Sequence, residues 1–141
     1  MKTAAAILLL LTVHLNTATV SWYHIEKAQE LLQDAPKPVL IDFSAEWCGW
    51  CKVMDKKTFA DAGVAEYMNA HFYPVRLDYD SPETFVFFGK TYTARQLADK
   101  YKVPGLPTII LISADNKRSR KLVGYKKAEP FLKELQKFAG K

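Results

Sequence analysis

Ile25, Ala28, Leu31 and Leu32 recur at helical spacing, and Pro36 with Pro38 forbids continuation, so the pattern predicts a first surface helix over 24–34. Val39-Leu40-Ile41-Asp42-Phe43 is then a continuous apolar run, the signature of a strand buried on both faces, with one carboxylate inside it. Asp42 therefore needs a reason to be there. Good helix formers without an interior proline fill 48–57, and Val64, Ala65, Tyr67 and Met68 continue a helical pattern over 61–71. A second strand is expected over 72–77, where Pro74 suits an edge or an end. Aromatic and β-branched residues from 85 to 93 flank Gly89-Lys90 and predict a β-hairpin. Thr93 can cap a helix over 94–101 that Pro104 and Pro107 stop. An apolar strand over 108–113, an Asp115-Asn116 turn, a partner strand over 120–124 and an amphipathic helix over 128–138 complete an α/β chain without repeats.

The first twenty residues read differently. Lys2 precedes an apolar run over 4–11, the layout of a secretory signal peptide, and His14, Asn16 and Thr17 interrupt it well short of the roughly 20 apolar residues a membrane span needs. Small residues place cleavage between Ala18 and Ser21, giving a leader over 1–20 and one domain over 21–141; the alternatives are a buried helix or an uncleaved anchor. A secreted or periplasmic location follows from the leader. At 141 residues, 49% hydrophobic and 25% charged, the chain has the balance of a single globular domain. Its net charge of +5 is spread along the sequence rather than clustered, so no nucleic-acid partner is expected. Cys48 and Cys51 are the only cysteines, which excludes a disulfide-rich scaffold and a four-cysteine zinc site.

That pair sits in Trp47-Cys48-Gly49-Trp50-Cys51-Lys52, between the buried strand and a helix. Cys48 at the helix start would face unpaired N–H groups, which favour its thiolate. Lowering a thiol pKa from about 8.5 to about 7 takes roughly 2 kcal/mol, whereas a helix terminus typically supplies about 0.3–1. A hydrogen bond from Cys51, helped by Lys52, must share the effect. Cys48 is then the accessible nucleophile and Cys51 the shielded resolving thiol. Three other readings stand beside this one: a zinc site completed by His24 and His71, whose spacing fits no compact zinc module; an inert structural disulfide; and, for Asp42, a strand-end carboxylate bonded to a backbone amide instead of a desolvated base for the Cys51 proton. Trp47 and Trp50 are either rim aromatics or an apolar contact face.

The segment 41–52, together with Gly105-Leu106-Pro107-Thr108, resembles the active-site segment and the cis-proline loop of thioredoxins. The resemblance covers 25–138 and places Asp42 on the family's buried aspartate, Arg76 on the lysine that accompanies it and Gly124 on the glycine before the last helix. Lys57-Thr58-Phe59-Ala60-Asp61 followed by Val64 is most similar to secreted, periplasmic members and to the carboxy-terminal domain of the transmembrane disulfide reductase. It implies a thioredoxin fold, a central mixed β-sheet flanked by helices, with a hairpin insertion near 84–93. It further implies catalysis by Cys48, Cys51 and Asp42, and client binding by Trp47, Gly49, Trp50, Leu106 and a cis Pro107 that keeps metal away from the sulfurs. No cofactor or metal is expected; disulfide-containing clients, a membrane electron donor and a monomeric state are. Trp50 replaces the proline of the thioredoxin dipeptide, and family potentials from about −270 to about −120 mV span about 7 kcal/mol. Reduction of protein disulfides is the favoured direction, against oxidation or isomerisation, and against a client-holding module built on the aromatic hairpin 85–92.

Overall fold

The structure is a computed structural model that describes residues 17–140. Most of the expected leader, residues 1–16, lies outside the described residues. Among the described residues no helix is long and apolar enough to cross a membrane.

Strand β1 (Val39–Ser44) lies inside a four-stranded sheet of order β2-β1-β5-β6, parallel to β2 (Tyr73–Asp78) and antiparallel to β5 (Thr108–Ile112), which pairs antiparallel with β6 (Ser119–Val123). Helices α1 (Ile25–Asp34) and α4 (Ala94–Lys100) cover one face with the hairpin β3 (Thr84–Phe87) and β4 (Lys90–Thr93); α2 (Gly49–Met54), α3 (Ala62–His71) and α5 (Ala128–Ala139) cover the other. Alternation along β1 sends Ile41 and Phe43 into the first layer and Leu40 into the second. Asp42 shares the parity of Leu40, so it faces the layer that contains α2. The central position of β1 requires apolar residues on both faces, and that is why one buried carboxylate stands out.

β2 is an edge strand, which tolerates the N–H that Pro74 lacks. Thr93 caps α4 as expected, and the structure adds a reciprocal bond from the Thr93 N–H to the Gln96 side chain that completes a capping box. Two expectations need correction. The helix after Cys48 does not run uniformly to residue 57: α2 ends at Met54, and Asp55–Phe59 form a π turn in which the Ala60 N–H reaches the Asp55 carbonyl. This wider turn buries both Thr58, whose hydroxyl donates to the Lys126 carbonyl at 2.5 Å, and Phe59, which packs against Phe131. The hairpin turns at Phe88-Gly89 rather than Gly89-Lys90, with φ of 45° and 77°, both left-handed, as a two-residue hairpin turn of type I′ demands. The Gln29 side chain holds it there, donating to the Val86 carbonyl and accepting from the Phe88 N–H. This hairpin is a separate two-stranded sheet, and Phe85 and Phe87 are buried in the core, Phe87 being 1% exposed.

Candidate active site

The chain leaves β1 at Ser44, turns through 45–47 and enters α2 with Cys48 as its N-cap. An N-cap uses its side chain to satisfy a free N–H of the first turn. Here the acceptor is sulfur: the Cys51 N–H donates to Cys48 Sγ at 3.1 Å. The three-residue spacing brings the two Cα atoms within 5.3 Å, and Cys48 and Cys51 are joined by a disulfide. Ala45, Tyr79 and Leu106 pack against the pair. Cys48 and Cys51 are each only 4% exposed, so the expected contrast between an accessible and a shielded cysteine is absent from this disulfide form.

Two different walls flank the sulfurs. On one side Trp50, 61% exposed, stacks on Tyr125 at 5.5 Å between centroids and 24° between planes. These rings, with Leu106, Pro107 and Gly124, line a cavity of about 360 Å³. The Leu106–Pro107 bond is cis, and the Gly124 N–H donates to the Pro107 carbonyl. Gly124 has φ of 77°, which lets the chain turn out of β6 and set Tyr125 beside Trp50. Gly49 opens α2, with open space where a side chain would project. Trp47, 68% exposed, belongs to neither wall: its indole N–H donates to Asp80 at 2.6 Å, and Asp80 also pairs with Arg95.

On the other side the wall is polar. Asp42 is 2% exposed and accepts from Arg76 Nε at 2.9 Å, so its partner is a guanidinium and not the backbone amide of the alternative reading. Its second oxygen, Oδ1, is buried without a hydrogen-bond partner. Burial pushes the carboxyl up from 3.8 to about 6; the charge and hydrogen bond of Arg76 pull it down, and Asp55 adds a smaller upward push. The Asp55 carboxylate receives Arg76 Nη2, and Asp55, Arg76, Lys52 and Cys51 line one cavity of about 270 Å³. Sequence reasoning missed Asp55, although its position four residues after Cys51 was a signal for a shared helix face. It also missed Trp22, whose ring lies over the Arg76 guanidinium. Among the described residues no group of three or more His, Cys, Asp or Glu is placed to hold a metal ion; His24 precedes α1, and His71 ends α3 against Tyr67.

With this geometry in view, similarity to known proteins is specific. A family model for thioredoxin-like domains matches residues 25–139. The thiol:disulfide interchange protein DsbD of Vibrio vulnificus is 32% identical over 137 residues, which is 88% of this chain but 21% of that protein, so the chain spans about a fifth of the length of such relatives. The thioredoxin-like protein slr0233 of Synechocystis is 31% identical over 113 residues, covering 77% of this chain and 89% of that one. Among solved structures, the oxidised carboxy-terminal domain of DsbD from Neisseria meningitidis superposes with a TM-score of 0.61 at 27% identity, over 79% of this chain and 90% of that chain. The family match takes in every strand of both sheets and each wall of the site, and the chain belongs to the thioredoxin-like family of thiol–disulfide oxidoreductases.

Proposed function

We propose that this protein reduces disulfides of client proteins in an extracytoplasmic, oxidising compartment and is itself re-reduced by a membrane electron donor. The observation that carries the reading is the Cys48–Cys51 disulfide at the mouth of α2, with the Cys51 N–H directed at Cys48 Sγ. A hydrogen bond to that sulfur stabilises negative charge on it, which is what a nucleophile and leaving group at this position requires. In the reduced protein the Cys48 thiolate attacks one sulfur of the client disulfide. The client S–S bond breaks, one client thiolate leaves, and a Cys48–client mixed disulfide forms. Asp42 takes the Cys51 proton, the Cys51 thiolate attacks Cys48 Sγ, and the second client thiolate departs. Two electrons have passed to the client, and the protein ends as the Cys48–Cys51 disulfide. Because the bacterial periplasm is kept oxidising, repeated turnover requires a dithiol partner to return those electrons.

Trp50, Leu106 and Pro107 line the groove beside the sulfurs and are the proposed client contacts, with Gly49 leaving room for a client backbone and the exposed Trp47 a further contact outside the groove. The leader over 1–20, an extracytoplasmic site of action and a monomeric state belong to the same proposal. The names of the interchange-protein relatives support a redox role, and a buried Phe85 and Phe87 weigh against the hairpin as a client-holding surface. Reduction of insulin disulfides tests the reaction: activity is expected from the reduced protein and none from Cys48→Ser, and equal activity in that variant overturns the reading. Equilibration with glutathione tests the direction, a potential below about −220 mV supporting reduction and one near −120 mV an oxidase.

A further inference from the structure

We infer that Trp22, which precedes the residues matched by the family, is a positioning residue for the release step: its indole holds the Arg76 guanidinium against Asp42. The inference rests on the proposed role of Asp42 as base for Cys51.

Arg76 is held by two carboxylates and by a pair of rings. Its nitrogens meet Asp42 at 2.9 Å and Asp55 at 2.5 Å. Its guanidinium carbon lies 4.2 Å from the Trp22 centroid and 5.5 Å from that of Phe59. Trp22 in turn stands edge-on to Phe59 at 5.1 Å. The segment carrying it is fastened on both sides. The Ser21 N–H donates to the Asn69 side chain and the Tyr23 N–H to the Pro74 carbonyl, both within the proposed mature domain; the further bond from Asn69 to the Thr19 carbonyl belongs to the proposed leader. A cavity of about 500 Å³ on this side of the guanidinium is lined by Trp22, Asp55, Phe59 and Arg76 together with residues 17–20 of the proposed leader. The Arg76 side chain is already 32% exposed, and removing the indole gives water further access to the cation.

The consequence has a sign. Asp42 is buried by its own place in β1, and Trp22 touches Arg76 rather than the carboxyl, so losing the indole leaves the burial intact. What weakens is the pull of Arg76, now more fully hydrated and free to turn away. The carboxylate form of Asp42 is then less favoured, and activation of Cys51 needs a higher pH. The other charged groups around the pair do not offset this. Asp55 acts in the same upward direction; Glu46, Lys52 and Asp78 line the cavity of Cys51, the first two paired with each other at 3.6 Å. Ile109 of β5 opposite Asp42, and Val64, Met68 and Phe131 of α3 and α5 in the same layer, are apolar; Ser21 and Trp22 carry no titratable side chain, and the α-amino group that cleavage after residue 20 leaves on Ser21 is common to the parent and every variant.

The test mixes the reduced protein rapidly with dithiobis-nitrobenzoate, which releases one coloured thiolate when Cys48 attacks and a second when Cys51 resolves the mixed disulfide. In Trp22→Ala the midpoint of the pH dependence of the second release is expected to rise by about half a unit, equivalent to roughly 0.7 kcal/mol. Below that midpoint the second release is about threefold slower, and the first is unchanged. Trp22→Phe restores most of the shift because it keeps a ring face over the cation, whereas Trp22→Leu, which keeps apolar bulk without one, does not. Arg76→Met shifts the midpoint the same way and further. A midpoint in Trp22→Ala and Trp22→Leu that stays put or moves down overturns the inference while Arg76→Met leaves the base assignment standing. A profile unaltered by Asp42→Asn removes the base and the inference together, and insulin reduction then still reports on the proposed reaction by itself.

Discussion

The two walls beside the disulfide are built on opposite principles. The Trp50–Tyr125 wall is apolar, open and shaped by two turns, the Leu106–Pro107 bend and Gly124. The Asp42–Arg76 wall is charged, centred on one buried carboxylate and shaped by a central strand, a π turn and the chain ahead of α1. Clients of differing sequence need contact that is non-directional, and apolar surface supplies it without demanding a particular hydrogen-bond pattern. A proton transfer needs the reverse, a group of tuned affinity in a place water does not level. The difference teaches that affinity and proton handling are separable in this molecule. Changes in the first wall should move KM and leave the pH profile alone, and changes in the second should do the opposite.

The largest effect tests the seam between the walls. Cys51→Ala removes the group that resolves the mixed disulfide and leaves Cys48 at the head of α2. Turnover of insulin is expected to vanish, while mass spectrometry under non-reducing conditions finds the protein covalently joined to its client. Failure of any mixed disulfide to accumulate would show that Cys48 does not attack first, and the division of labour between the two sulfurs would be wrong.

Next in size is Asp42→Asn, which breaks the polar wall alone. Loss of a general base costs about 10²-fold at the low end of the usual range, and the slowing should fall on the second thiolate release at neutral pH, with KM for insulin unmoved. Stability should change in the other direction. A carboxyl raised from 3.8 to about 6 on folding binds its proton more tightly in the folded state, so its favourable contribution is complete below about pH 3.8 and is lost as pH rises through about 6. Near neutrality the buried carboxylate therefore destabilises the fold. Its replacement by a neutral amide should raise stability at pH 7 by roughly 1–3 kcal/mol, with the gain fading in acid. Denaturant melts of both proteins at the two pH values check this, and a variant less stable than the parent at pH 7 would mean that the bond to Arg76 outweighs the burial.

That trade between activity and stability was partly readable from residues alone. The apolar run around Asp42 announces both a central strand and a charge out of place, and Thr93 announces a helix start, because in each case the information is local. The partners of Asp42 are harder. Arg76 is 34 residues away and becomes adjacent only through the β1–β2 register, which pairs the two directly; the thioredoxin resemblance pointed to it, and local sequence did not. The π turn is invisible in helix propensity, and the bond from Thr58 to Lys126 that accompanies it joins positions 68 residues apart. The turn at Phe88 is equally non-local, since a phenylalanine at positive φ is uncommon and is held there by Gln29 from α1. Trp22 was hidden for another reason: it directly follows a stretch read as a leader, and nothing in its immediate sequence ties it to Arg76.

The smallest effect sharpens the comparison from the apolar side. Trp50 and Tyr125 are stacked and partly open to solvent, so truncating either removes one face of the groove without making a hole in the core. Aromatic pairs contribute about 0.5–1.5 kcal/mol beyond their area, which converts to a rise in KM of about 2- to 13-fold for a client that uses the platform. Trp50→Ala and Tyr125→Ala should each fall in that range with insulin. Combining them should add little to the larger single effect, because either truncation already dissolves the stack. The rate at saturating insulin and the pH midpoint of the second thiolate release should match the parent. A shift of that midpoint in Tyr125→Ala would break the comparison itself, since Tyr125 stacks on Trp50 in the wall away from Asp42.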